Sequence, residues 1–174
     1  IEQLIVIFIV AFIAESYGAV VGGGSFVIQP FLIYMGVPPL QAVSHDIIAG
    51  FASDIGGLVG FAKKEKSSIR VDVAKNILLS VIFGSISGLY TLYYIVNEDF
   101  IRYFISIIAI VMLVLSWKPN FVLSKVKNTF FTNQIIGFSI GFYISFSSAG
   151  TGIFATILLT SILKLSIIES IATK

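Results

Sequence analysis

Residues Glu15 to Met35 read ESYGAVVGGGSFVIQPFLIYM, and this stretch decides how the rest of the chain is read. Three consecutive glycines, Gly22, Gly23 and Gly24, interrupt a run from Leu4 to Met35 that is otherwise almost entirely apolar. The run is too long for one ordinary membrane helix and too broken to be one. Each glycine in a helix interior costs about 1 kcal/mol relative to alanine, so the backbone is expected to leave the helix here. In a bilayer, irregular backbone is tolerated only where it is buried in protein or lines a cavity. The break is therefore a candidate substrate site.

Composition places the break in a membrane. The chain has 174 residues, 57% hydrophobic and 11% charged, with a mean hydropathy of +1.01. Soluble domains carry about 25% charged residues, so this chain lacks the charge to cover a water-facing surface. The expected fold is all-α, a polytopic helical membrane protein with broken helices. Cysteine is absent, which excludes thiolate chemistry and cysteine-ligated metals. The net charge is +2, and the basic residues form short clusters rather than a face that could follow a phosphate backbone, so no nucleic-acid partner is expected. The chain opens on Ile1 and reads as part of a longer protein. No basic segment precedes the first apolar run, so a cleavable signal peptide is not expected.

Outward from the break, Ser25 is placed to cap a half-helix from Phe26 to Met35, ended by Gly36 and the Pro38-Pro39 pair. Leu40 to Ala62 is long enough to span. It carries Asp46, Gly50 and Asp54 at four-residue spacing on one stripe, with Ala49, Ser53 and Gly57, and Gly56 and Gly60, on neighbouring faces suited to close helix contact. Val73 to Val96 and Phe100 to Trp117 read as further spans, the former with a Gly84-Gly88 pair. The loop at 63–72 holds four Lys or Arg residues and the segment at 118–133 holds three. The positive-inside rule puts both in the cytoplasm and Asn97 to Asp99 outside.

The run from Gln134 to Leu163 is broken at Ser145, Ser147, Ser148, Gly150, Thr151 and Gly152. An ungapped overlay of 15–46 on 143–174 matches Gly22 with Gly150, Gly24 with Gly152 and Phe26 with Phe154. The organisation expected is a first repeat of about four membrane segments at 1–117, a loop at 118–133, and the beginning of a second repeat at 134–174. Paired glycine-broken segments in corresponding halves point to a secondary transporter's binding site. Whether the first break is a single crossing or a re-entrant hairpin stays open: the former makes the repeats parallel, the latter inverted.

The segment GGGSFVIQPFLIYMGVPPLQAVS, Gly22 to Ser44, resembles the signature of the sulfite exporter TauE/SafE family, also called the toluene-sulfonate uptake permeases. Gly22-Gly23-Gly24, Pro30-Phe31-Leu32, Gly36-Val37-Pro38 and Ala42 fill the family's places in order. Where that pattern commonly continues Thr-Ser, this chain has Ser44-His45-Asp46, and its second glycine motif reads Ala149-Gly150-Thr151-Gly152. The resemblance implies about eight membrane segments in two similar halves and movement of small sulfur-containing or organic anions, such as sulfite or sulfonates, across the cytoplasmic membrane.

The candidate substrate-binding residues are Gly22, Gly23, Gly24, Ser25, Gln29, Ser148, Gly150, Thr151 and Gly152. Basic side chains within or beside the spans are read as His45, Arg102 and Lys164, so backbone N–H groups at the restarting helices, near Ser25 and Ile153, are expected to supply donors to the anion. Glu15, Asp46, Asp54 and His45 are candidates for proton coupling, because carboxylates at depth are expensive unless paired, protonated or hydrated. Tight helix packing is the competing account of the glycines. No catalytic residues, cofactor or metal are expected: His45 and Asp46 are adjacent in sequence and point about 100° apart on a helix. A small anion and the lipid bilayer are the expected partners, and a homo-oligomer stays open. An anion channel and a membrane-embedded assembly subunit are the alternatives to a carrier.

Overall fold

The computed structural model describes residues 2–117 and 129–174, and every element in them is helical. The helices are α1 (Glu2–Val21), α2 (Ser25–Tyr34), α3 (Pro39–Lys64), α4 (Val71–Tyr90), α5 (Glu98–Trp117), α6 (Phe130–Phe146), α7 (Thr151–Ser161) and α8 (Ile167–Thr173). A single 3-10 turn, Lys66–Ser68, joins α3 to α4, and α4 continues through a π turn to Ile95. Glu2–Val20 and Val71–Ile95 are long and apolar enough to cross a membrane. The side chains of α1 lie largely outside the protein core, Leu4 and Phe8 each 70% exposed. Such a face is stable only against lipid or further protein.

The first break is a re-entrant hairpin. Gly22 and Gly23 adopt φ of +79° and +128°, values that L side chains rarely take, and the chain reverses. Gly24 then lies against the backbone of Ala14 and Glu15, and Ile28 and Leu32 pack with Ala14, Ala11 and Ile7. Helix α2 thus retraces α1 instead of extending it. It ends in a Schellman motif, with Gly36 (φ +89°) donating to Ile33 O and Val37 donating to Leu32 O, both at 3.0 Å. Pro39 opens α3 at a position where its missing N–H costs nothing. Helix α3 runs back alongside α1, with Ser53 Oγ donating to Glu15 O at 3.1 Å.

Helices α4 and α6 form the tightest pair and run parallel: Gly137 faces Ile77, Gly141 faces Val81, and Gly84 and Gly88 face Phe138 and Phe142. A Cβ at Gly141 would collide with Val81 O, so the backbones approach through glycines on both helices, Gly84 and Gly88 on one and Gly137 and Gly141 on the other. Gln134 Nε2 donates to Asn76 O at 2.9 Å, and Gln134 also accepts from Ser80. In contrast, Gly56, Gly57 and Gly60 on α3 would meet nothing within 4 Å among the described residues. Their expected helix contact is not made there.

The second break is also a hairpin. Ser148 (φ +52°) and Gly150 (φ +73°) turn the chain, and α7 returns along α6, with Phe154 4.9 Å from Tyr143 between ring centroids and Leu159 packed with Ile136. Helix α3 ends beside the start of α4, and α6 parallels α4, so α6 runs opposite to α1. The ungapped overlay that pairs Gly22 with Gly150 also pairs Gly36 with Lys164, both at positive φ, and the first residue of α3 with the first residue of α8. Helix α6 starts at Phe130, inside the expected 118–133 loop; residues 118–128 of that loop lie outside the described residues.

Candidate functional site

The tips of the two hairpins meet. A Cβ at Gly22 would fall 2.6 Å from Gly152 C, and a Cβ at Gly152 would fall 2.6 Å from Gly22 Cα. Glycine at both positions is what lets the two backbones touch. Beside this contact lies a cavity of about 280 Å³, lined from α1 to α3 by Glu15, Gly22, Gly23, Gly24, Ser25, Asp46, Gly50, Ser53 and Asp54, and from α6 to α8 by Ser145, Ser148, Thr151, Gly152 and Lys174. At on the order of 30 Å³ per water, it has room for a small oxyanion and several waters.

The cavity floor is a buried polar junction. Gln29 Nε2 lies 2.9 Å from Asp46 Oδ2, 2.6 Å from Ser147 O and 2.6 Å from Ser148 Oγ. Ser148 Oγ also donates to Asp46 Oδ2. Gln29, Asp46 and Ser147 are each at most 1% exposed, so these bonds join α2, α3 and the second break at the buried end of the cavity. Tyr143 OH donates to Ala149 O at 2.6 Å and Thr151 Oγ1 donates to Ser148 O at 2.5 Å, which fixes the second turn from both sides.

The half-helices restart with donors unspent. Among the described residues, Phe26 N bonds Gly23 O and Val27 N bonds Gly24 O, whereas Gly24 N and Ser25 N have no backbone acceptor. In α7 the Gly152 and Ile153 amides are in the same condition. Gly24, Ser25 and Gly152 line the cavity, so the N-terminal ends of both half-helices stand at its wall.

Ten of the thirteen sequence candidates line the cavity: Glu15, Gly22, Gly23, Gly24, Ser25, Asp46, Asp54, Ser148, Thr151 and Gly152. Gln29 sits beneath it as a brace, and Gly150 gives way to the Phe26 ring, which leaves no room for a Cβ. His45 lies elsewhere, lining a second, apolar cavity with Ile7, Ala11 and Leu32. Ser25 does not cap α2: the cap residue is Gly24 and makes no side-chain bond, because Ser25 already belongs to the helix. The list of basic side chains also changes. Lys164 folds back onto Ser161 O at 2.6 Å and Arg102 is exposed on α5, while Lys174 reaches the cavity. Lys174 is missed by a reading of spans because only the turn after α7 carries α8 back to the breaks; the overlay, which pairs it with Asp46, is the signal that finds it.

Two oppositely directed helical hairpins whose tips enclose a polar cavity define a class of all-α membrane protein with broken helices at its site. The chain belongs to the sulfite exporter TauE/SafE family, whose model matches residues 7–174. A probable membrane transporter protein, ORF9 of a Sinorhizobium species, is 26% identical over 153 residues, a match covering 85% of this chain and 57% of that protein. This chain therefore spans little more than half the length of that relative. No solved structure matches it.

Proposed function

We propose that this protein is a carrier, not an enzyme, for small sulfur-containing or organic anions such as sulfite or sulfonates, with its site between the two hairpin tips. The observation that carries the reading is the contact of Gly22 with Gly152 beside a cavity walled by the N-terminal ends of the two half-helices. Backbone left unpaired at depth is costly unless it faces a ligand or water, and helix N-termini favour anions. Family membership and the name of the Sinorhizobium relative support the same class.

In this reading the units 1–117 and 134–174 are repeats of inverted topology, and the chain is a multi-pass protein of the cytoplasmic membrane. The loops at 63–72 and 118–133 face the cytoplasm, which puts the first turn of α1 outside, since α1 runs towards the face where α3 ends. Glu15 and Asp54 are the proton-coupling candidates: both line the cavity, and neither is in an ion pair among the described residues.

The test is counterflow of labelled sulfite and ethanesulfonate in proteoliposomes of the full chain. Saturable counterflow supports the carrier. Flux without saturation points to an anion channel, and no flux for either anion points to an assembly subunit whose glycines serve packing.

A further inference from the structure

The overlay that relates the hairpins pairs positions of opposite charge, Asp46 and Lys174. Asp46 Oδ2 is held in the junction with Gln29 and Ser148, whereas the Lys174 ammonium is in no ion pair among the described residues. Its Nζ lies 2.8 Å from where a Cβ on Gly152 would sit. Gly152 has no positive φ, so it needs no glycine for its own conformation; its lack of a side chain makes room for Gly22 on one side and the ammonium on the other.

The helix that carries the lysine is held in place. Thr173 Oγ1 accepts from Arg70 N at 3.0 Å, Arg70 pairs with Glu169 at 3.3 Å, and Ser166 and Glu169 form a capping box at the start of α8. Among the described residues the ion pairs are Arg70–Asp72 and Arg70–Glu169, so no carboxylate lies within 4 Å of Lys174 Nζ. Asp54 and Lys174 together line this cavity and an adjoining one of about 270 Å³ beside Ala19, Leu58 and Phe61, which makes Asp54 the carboxylate nearest in place to the ammonium. An ammonium has three donors and no acceptor. Set beside unspent helix amides, it calls for an anion.

We propose that Lys174 is the residue that binds the anion's charge in this cavity, with Asp54 as the neighbouring carboxylate that competes with the anion for it. The inference rests on the carrier reading above and names the group that makes the site anionic in preference. The charged groups facing the cavity are Glu15 from α1, Asp46 and Asp54 from α3, and Lys174 after α8, while α2, α6 and α7 contribute none to its lining. With carboxylates in excess of the one ammonium, neutralising Asp54 strengthens anion binding.

The experiment is equilibrium binding and proteoliposome uptake of labelled sulfite by the full chain and its variants. Lys174→Gln lowers sulfite affinity by about tenfold to a hundredfold, the loss expected for a charged donor to an anion, and Lys174→Arg retains most of it. Asp54→Asn raises affinity when Lys174 is present and has no effect alongside Lys174→Gln, a coupling that a packing role does not produce. Wild-type affinity in Lys174→Gln, with transport intact in the parent, overturns the inference and leaves the carrier reading standing. Absence of sulfite flux in the parent removes that reading and the inference with it. If Lys174→Gln does not purify as a folded protein, Asp54→Asn decides: unchanged affinity in that variant overturns the proposal.

Discussion

Replacing Gln29 by leucine tests whether the buried junction clamps the two hairpins together. The Gln29 amide has two hydrogens, shared among Asp46 Oδ2, Ser147 O and Ser148 Oγ. A bond to a charged acceptor contributes about 1.5–3 kcal/mol and one to a neutral acceptor about 1 kcal/mol, and an acceptor orphaned in a dry site costs about 1–3 kcal/mol more. Against this, Gln29 Oε1 is itself buried without a partner, and leucine removes that cost, again about 1–3 kcal/mol. The balance is a net destabilisation of about 2–4 kcal/mol. For a chain of this length, that corresponds to a fall of roughly 4–16 °C in melting temperature, measured on purified protein in detergent by the temperature at which the monodisperse peak is lost. A variant that melts at or above the parent temperature refutes the clamp, because the junction would then be a burden that leucine relieves.

Three further outcomes follow from the packing and the ion pairs. Gly141→Leu drives a side chain into Val81 O and abolishes stable α4–α6 packing, whereas Gly60→Leu meets open space and leaves melting of the chain within about 1 kcal/mol of the parent; both are read by detergent thermostability. Gly22→Ala costs more than Gly36→Ala, since both carry positive φ, at about 1–2 kcal/mol of strain, but only Gly22 also meets another backbone, at 2.6 Å; paired melting curves check the order. Ser166 holds the Glu169 carboxyl below its ordinary value, first through its backbone N–H and then its hydroxyl, with Arg70 adding to the effect. A depressed carboxyl contributes stability above its unfolded value that is lost as pH falls through the folded one. The α8 latch is therefore intact at neutral pH and weakens in acid as pH falls from the ordinary Glu value through the depressed one, and Arg70→Gln flattens that dependence in a pH series of thermal melts.

The class of the protein was legible from local chemistry. Too few charges and a run of apolar residues broken by Gly22-Gly23-Gly24 force a membrane helix with an interruption, and the same overlay that marks Gly150 and Gly152 marks the second. Most of the cavity lining follows, because glycines, hydroxyls and carboxylates at depth are costly wherever they do not line a site. Ser25 was misjudged as a cap for a local reason: the helix begins at it, one residue earlier than the apolar pattern suggests. His45 fell away because one residue along α3 is a turn of about 100°, enough to send it to a different face from Asp46.

What tertiary structure alone decided is direction and meeting. The composition of the Glu15–Met35 stretch is the same for a helix that restarts forwards and for one that doubles back; the φ values at Gly22 and Gly23 and the packing of Gly24 on Ala14 select the hairpin, and with it the opposed directions of the two hairpins. Likewise, nothing local to Lys174 distinguishes it from an ordinary surface lysine. It reaches the cavity because α7 folds back, Arg70 pins Thr173, and Gly152 leaves an opening for its ammonium, three conditions set by residues far away in the chain. Sequence determines which groups cannot face lipid; the fold determines which of them face one another.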